Sequence, residues 1–325
     1  MESSAAAERI LLAVSGGVDS MYMANRASEL FPGASFAVAH CNFCLRGAES
    51  DGDERFVEQW CARAGVRCHV QRFDTAGYAA EHGVSIEMAA RELRYAWFAR
   101  LCSEEGFDAV ATAHNANDNA ETLMLNLLRG TGLKGLRGLS ASRSFEPHSA
   151  GMKILRPLLD TERREIEEWM VSHDKQWRED RTNGESVVKR NIIRNEVFPI
   201  FGRINPSFVK TLNADMRRFA QVDDIAEDYF LCARRKVVKE AGEREEQERI
   251  CVKELLALRH WKYVLWRLLE PYGFSQQTFS KLLCLLEAYK DSPRGTVTMS
   301  GKTFESPAHI LVTSRSFLVL LKRQA

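Results

Sequence analysis

Asp19 lies in the run Ser15-Gly16-Gly17-Val18-Asp19-Ser20, where glycines, hydroxyls and a carboxylate share one short stretch. The apolar run Ile10–Val14 precedes it and reads as a buried strand; Met21–Ala27 follows and reads as a helix. The stretch is therefore a strand-to-helix turn, where backbone N–H groups at a helix start favour an anion. Gly16 and Gly17 allow close approach of the backbone to a phosphate, and Ser15 and Ser20 add hydroxyl donors. A carboxylate beside phosphates is repulsive unless a cation lies between them, so Asp19 implies Mg²⁺ bridging to a polyphosphate.

A second group follows the apolar run Ala109–Ala113. His114, Asp118 and Glu121 are spaced by four and three residues, which places them on one face of a helix. Carboxylates beside a histidine can hold Mg²⁺ or take a proton from an incoming nucleophile; acidic residues at a helix start can also simply complement the helix dipole. Arg190 and Arg194, four apart, share a face of a later helix.

Positioning these residues requires a sheet. Ser35–His40, Val66–Phe73, Ala109–Ala113 and Lys153–Pro157 read as further strands. Between them come helices over Ser50–Ala64 with Ser50 as cap, Ile86–Glu105 with Ser85 as cap and Gly106 as stop, and Asn117–Leu128; Thr161 caps Glu162–His173. This alternation predicts an α/β fold, a parallel sheet covered on both faces, with Ser15, His40 and His114 at the carboxyl ends of strands. Gly130–Gly151 is rich in glycine, serine and basic residues (Arg129 at its edge, Lys134, Arg137, Arg143) and reads as a loop or lid. From Pro206 the pattern changes. A long helix, Ser207–Lys239, leads to the charge run Glu240–Glu246, which reads as linker or helix end. Helices near His260–Leu269 and Ser275–Tyr289 follow, then short strands near Gly295–Met299, Ile310–Thr313 and Phe317–Leu321. The expected division is residues 1–205, a Rossmann-like catalytic domain, and 206–325, a helical linker with a smaller α+β domain.

The chain has 325 residues, 45% hydrophobic and 27% charged, an ordinary globular composition. Its net charge of +1 gives no global attraction to nucleic acid, so such a site must be a local patch. Nothing resembles a membrane span or signal core, which predicts a cytoplasmic protein with no membrane partner and eight reduced cysteines.

The glycine turn lacks the lysine of the kinase and GTPase phosphate loop; Asp19 takes its place. It resembles instead the signature of the PP-loop ATP pyrophosphatases, which cleave ATP to AMP and pyrophosphate and adenylate a substrate. The string His114–Thr122, with Leu127–Gly132, is similar to the second signature of the tRNA(Ile)-lysidine synthase family. Asn42, Leu45, Arg46, Ser50, Asp53 and Glu54 resemble its block after the second strand, and Glu87, Arg91, Arg94 and Tyr95 its helix before the fourth. Arg156-Pro157-Leu158, Asp180–Asn183 and Arg190–Arg194 resemble the end of its catalytic domain. The resemblance is close over about residues 10–200 and loose beyond.

The resemblance implies ATP-dependent joining of L-lysine to carbon 2 of the cytidine at the first anticodon position of a tRNA(Ile) with a CAU anticodon. Under it Ser15, Gly16, Gly17, Val18, Asp19 and Ser20 hold ATP, with Asp19 on Mg²⁺. Asp118 and Glu121 recognise the lysine ammonium or receive its proton, and His114 contacts the adenylated intermediate. Arg91, Arg94, Arg190 and Arg194 stabilise phosphate charge or hold the anticodon backbone, and Arg129, Lys134 and Arg137 join Arg91 and Arg94 in holding tRNA. The sequence leaves the oligomeric state open, with a homodimer among the assemblies it allows.

Two departures from the family pattern stand out. Cys41-Asn42-Phe43-Cys44 replaces histidines flanking the asparagine; inert packing thiols are the expectation, with sulfur transfer to tRNA as the rival. Many members also carry a further small domain, so the chain is expected to be a short form or a truncated one. In the second domain Trp261 and Trp266 read as core, while Lys262, Lys302 and Arg315 offer an RNA grip. An amidating ligase acting on a small molecule and a non-enzymatic nucleotide-binding module are the remaining alternatives.

Overall fold

The computed structural model describes residues 8–144, 152–178, 185–240, 246–292 and 298–323. The chain divides into two compact units, Met1–Ala220 and Gln221–Ala325.

The first unit opens with β1 (Arg9–Ala13), α1 (Val18–Asn25), α2 (Ala27–Leu30), β2 (Ser35–Asn42), α3 (Ala48–Ala64) and β3 (Cys68–Arg72). Then come α4 (Thr75–His82), α5 (Ile86–Glu105), β4 (Ala109–Ala111), α6 (Ala116–Arg129), α7 (Leu133–Leu136), β5 (Ser142–Ser144) and β6 (Lys153–Leu155). Helices α8 (Arg163–Ser172), α9 (Glu185–Ile192), a π-helical turn (Ile193–Val197), α10 (Phe198–Ile204) and α11 (Phe208–Val237) follow, the last running on through the division.

The sheet order is β3-β2-β1-β4-β6-β5, parallel except for β5, which pairs antiparallel with β6. A continuous apolar run suits a central parallel strand, and Ile10, Leu11 and Leu12 of β1 are all fully buried. Alternate residues serve opposite faces. Ile10 and Leu12 pack with Val38, Val57 and Met170, whereas Leu11 packs with Ala37, Phe98, Val110 and Ile154. The chain moves outward from β1 to β2 and β3, then returns to lay β4 on the other side of β1. The crevice at the carboxyl ends of β1 and β4 is thus the switch point where open α/β sheets collect ligands.

Two predicted caps are corrected. Helix α3 starts earlier, behind Gly47 (φ 50), and the Ser50 hydroxyl instead accepts from the Arg46 N–H at 3.2 Å. Helix α8 is capped by Glu162, which forms a capping box with Glu165, while the Thr161 N–H donates to the Leu158 carbonyl. Ser85 and Gly106 delimit α5 as expected. The stretch expected to be a loop after Gly130 contains α7 and the edge strand β5; its remainder, 145–151, lies outside the described residues.

Gly138 follows α7 with φ +66, and a Cβ there would run into Asn119 Oδ1 and the Met216 sulfur. Asn119 is itself buried and paired with Asn213 (2.8 Å) and the Leu139 N–H (2.6 Å). Gly138→Ala is therefore expected to destabilise the first unit by about 2 kcal/mol or more. Urea unfolding midpoints would read the loss.

The second unit contains β7 (Val238–Lys239), β8 (Glu246–Cys251), α12 (Val252–Ala257), α13 (Trp261–Leu269), a 3₁₀ turn (Glu270–Tyr272), α14 (Gln276–Asp291), β9 (Thr303–Glu305), β10 (His309–Thr313) and β11 (Phe317–Lys322). The strands form an antiparallel sheet in the order β7-β8-β11-β10-β9. The charge run is not all linker, because Glu246 already belongs to β8; residues 241–245 lie outside the described residues. The strand expected near Gly295–Met299 falls mostly outside them too, and Met299 itself is not in a strand. Trp261 is core, 5% exposed with Val264, Leu265 and Leu268; Lys262 lies over its ring and pairs with Glu287.

Candidate active site

The turn after β1 is closed by its own hydroxyl. Ser20 Oγ accepts from the N–H groups of Ser15 and Gly16, both at 3.2 Å, and donates to the Gly17 carbonyl at 2.9 Å. Ser20 is therefore occupied in shaping the turn, while Ser15, Gly17, Val18, Asp19 and Ser20 line a cavity of about 830 Å³. Gly16 takes φ +96, which glycine adopts without strain.

Asp19 faces this cavity at the start of α1. Its Oδ1 accepts from Asn115 Nδ2 at 2.9 Å and its Oδ2 from Arg163 Nη1 at 2.7 Å. Burial raises its pKa, and neighbouring Asp118 pushes the same way against the pull of Arg163. Asn115 is 1% exposed and caps α6, accepting from the N–H groups of Asn117 and Asp118, while Asp118 Oδ2 accepts from the Asn115 N–H at 3.1 Å. This capping box fixes both signature carboxylates with respect to β4.

On the same face of α6, Arg194 Nε meets Glu121 Oε1 at 2.7 Å and Arg194 Nη2 lies 3.4 Å from Asp118 Oδ1. Glu121 is fully buried, its Oε2 has no hydrogen-bond partner among the described residues, and burial raises its pKa. Arg190 and Arg194 both line the cavity, the first from α9 and the second from the π-helical turn. His114 lines it from the end of β4, with Nδ1 3.0 Å from the Thr112 hydroxyl. Burial, with the positive charges of Arg156, Arg190 and Arg94, lowers its pKa to about 4, so it is neutral at pH 7.

That shift has a signed consequence. Below pH 6.5 the unfolded chain protonates His114 while the folded chain refuses the proton until about pH 4, so stability falls as pH drops through this window. Compared with His114→Asn, the parent chain should lose roughly 2–3 kcal/mol more between pH 6.5 and pH 4. Paired denaturant titrations at the two pH values would measure the difference.

The predicted arginines separate into groups. Arg94 lines the cavity, its guanidinium 5.2 Å from the Phe43 ring centroid. Arg91 lies over the Tyr95 ring at 4.8 Å, outside the cavity lining. Arg129, at the end of α6, and Lys134, in α7, lie outside the cavity lining, as does Arg137. His40, expected at the same sheet edge, is buried with Nδ1 2.9 Å from the Val14 carbonyl. Cys41 is in the cavity wall, where burial pushes its thiol up to about 12 and keeps it protonated. All eight cysteines are free thiols, and among the described residues no group of three or more His, Cys, Asp or Glu is arranged to hold a metal. Asp180–Asn183 lie outside the described residues.

Arg163, Glu167, Trp177 and Arg178 are among the lining residues that escape the sequence reading. No local signal marks them, because each acquires its role only through the fold. Asn115 does carry one: an asparagine followed three residues later by an acid is a capping signature.

A PP-loop domain model matches residues 1–201, and a TilS substrate binding domain model matches residues 243–323. The tRNA(Ile)-lysidine synthase of Bacteroides thetaiotaomicron is 36% identical over 96% of this chain and 67% of its own. The chain belongs to the tRNA(Ile)-lysidine synthase family. The family member from Porphyromonas gingivalis W83 is 37% identical over 96% of this chain, and that from Chlorobaculum tepidum 44% identical over 66%. The chain spans 63% and 62% of the lengths of these two relatives. The fold is shared with the U34-tRNA thiolase NcsA of Methanococcus maripaludis, at a TM-score of 0.55 and 18% identity, over 66% of this chain and 73% of that one.

Proposed function

We propose that the chain carries the ligase activity of its family. ATP is cleaved to pyrophosphate as AMP is transferred to the oxygen on carbon 2 of the first anticodon cytidine of tRNA(Ile). The amine of L-lysine then forms a bond to carbon 2, and AMP leaves with the oxygen. The observation that carries this reading is the shared cavity. The anion-favouring turn at Ser15–Ser20 opens into the same space as Asp118, Arg190, Arg194 and neutral His114, and Glu121 anchors Arg194 from below.

Roles follow from charge. The N–H groups of the first turn of α1 and the Ser15 hydroxyl hold the triphosphate, and Arg190 and Arg94 meet the phosphate or the tRNA backbone. Glu121 and Asp118 pair with Arg194. An incoming ammonium competes for the same carboxylates, and one of them receives the proton that the amine must lose before attacking. Asp118 lines the cavity and meets the amine directly, whereas Glu121 lies behind it, outside the lining, where burial raises its pKa and suits it to hold the proton. His114, neutral, hydrogen-bonds the intermediate without adding charge.

Asp19 and Asp118 offer hard carboxylate oxygens facing one cavity, and their mutual repulsion favours a cation between them, so the donor set fits Mg²⁺. Bound there, Mg²⁺ would neutralise charge on the departing pyrophosphate. The finer expectations extend this proposal: a CAU anticodon, a homodimer and a cytoplasmic location. Among the described residues no helix is long and apolar enough to cross a membrane.

The test is pyrophosphate release with ATP, Mg²⁺ and L-lysine, with and without tRNA(Ile) bearing CAU, and nucleoside mass spectrometry on the same tRNA. Release that requires the tRNA, with cytidine converted to its lysine adduct, is the expected result. Release without lysine incorporation would point to another nucleophile.

A further inference from the structure

Gly52 is an interior residue of α3, where glycine is unfavourable relative to alanine. The structure supplies a reason for it. A Cβ at Gly52 would lie 2.9 Å from Arg178 Nη2 and 3.6 Å from its Cζ, so the guanidinium occupies the space that any side chain would fill. From there Arg178 Nε donates to Asp53 Oδ1 at 2.8 Å, and the other Asp53 oxygen accepts from Arg46 Nη2 at 2.9 Å. The same residue grips the nucleotide turn. The Arg178 N–H donates to the Gly16 carbonyl at 2.9 Å, and its Cγ lies 3.8 Å from where a Gly16 Cβ would be. Val57 and Phe56 of α3 flank Gly16 as well, at 3.5 and 3.7 Å by the same measure.

This contact fixes an orientation. A peptide is planar and trans, so the Gly16 carbonyl and the Gly17 N–H point in opposite directions. Holding the carbonyl on Arg178 keeps its partial negative charge bonded, and turns the Gly17 N–H away from that anchor. The Gly17 N–H points instead to Ser15 Oγ, at 3.3 Å, and both residues line the cavity, where an incoming phosphate can take over that donor. Were the peptide to flip, an oxygen would replace a donor in the turn that receives the phosphates. The Arg178 side chain is 44% exposed, and an ion pair so placed adds little to global stability. Its effect is local, on the turn.

We propose that Gly52, Asp53 and Arg178 form a latch that sets the Gly16–Gly17 peptide for the triphosphate, with Arg178 as a positioning residue. This rests on the reading of the turn as an ATP site. Gly52→Leu expels the guanidinium without removing a charge, and leucine favours the helix that glycine disfavours. Arg178→Ala removes the guanidinium directly.

The experiment is calorimetric titration of ATP into the parent chain and both variants, with Tm recorded for each. The expected result is ATP binding by the parent, weakened about five- to tenfold in both variants, with Tm undiminished in Gly52→Leu. Arg178→Lys, which reaches Asp53 with one donor group, should recover part of the affinity. A folded variant of either kind that binds as the parent does overturns the latch, as does a loss of affinity that tracks a loss of Tm in both. If Arg178→Ala fails to fold, Gly52→Leu decides alone. A parent chain that fails to bind ATP overturns the nucleotide reading first, and the latch with it.

Discussion

Glu121→Gln is expected to stop lysine incorporation while tRNA still draws one equivalent of pyrophosphate from ATP. The substitution keeps the shape of the side chain and removes both its charge and its ability to take a proton. Removing a positioned general base lowers a rate by about 10²–10⁴. The first half-reaction, attack of the cytidine oxygen on ATP, does not use this carboxylate, so a single-turnover burst should survive. The substitution also removes a charge from beside Arg194, whose side chain is 45% exposed and can still donate to the amide oxygen, so the cost in stability is about 1 kcal/mol. Tm must therefore be measured beside the quenched-flow burst and the nucleoside assay. A Glu121→Gln protein that incorporates lysine at the parental rate would remove Glu121 from the amine chemistry.

Asp19→Asn is expected to abolish ATP-dependent pyrophosphate release, by about 10³-fold or more, the scale of losing a principal charge-stabilising group. The fold should hardly notice. Arg163 loses Asp19 but keeps Glu167 at 2.7 Å, and an amide oxygen can still accept from Asn115. Burial already penalises the Asp19 charge, so neutralising it also relieves a cost of folding. Loss of activity with unchanged or raised Tm would separate the role of the charge from any role in folding. Retained turnover over a range of Mg²⁺ concentrations would argue against Asp19 as the carboxylate that partners the metal.

Much of this was legible in residue order. The apolar run before Ser15 declared the central strand, and the repeating strand–helix rhythm declared a parallel sheet whose carboxyl edge gathers the two signatures. What stayed hidden was contact across long separations. Arg163 reaches Asp19 from the start of α8, and Arg178 reaches both Gly16 and Asp53; no local spacing encodes either pairing. Edge elements were hidden for another reason. Ser142–Ser144 and Thr303–Glu305 are three-residue strands, too short for period-two alternation to register. The π-helical turn carrying Arg194 was likewise invisible, because its sequence satisfies ordinary helical spacing.

The antiparallel β5 matters for a hazard that has nothing to do with ligands. A parallel sheet ends in a strand whose free N–H and C=O groups invite pairing with another chain. Here β6 contains the fully buried Ile154 and would be an attractive template if left bare. A Ser-Arg-Ser strand only three residues long pairs with β6 instead, so the sheet terminates in an element too short and too polar to propagate. At this edge of the sheet, opposite β3, the short polar strand thereby opposes edge-to-edge stitching between copies.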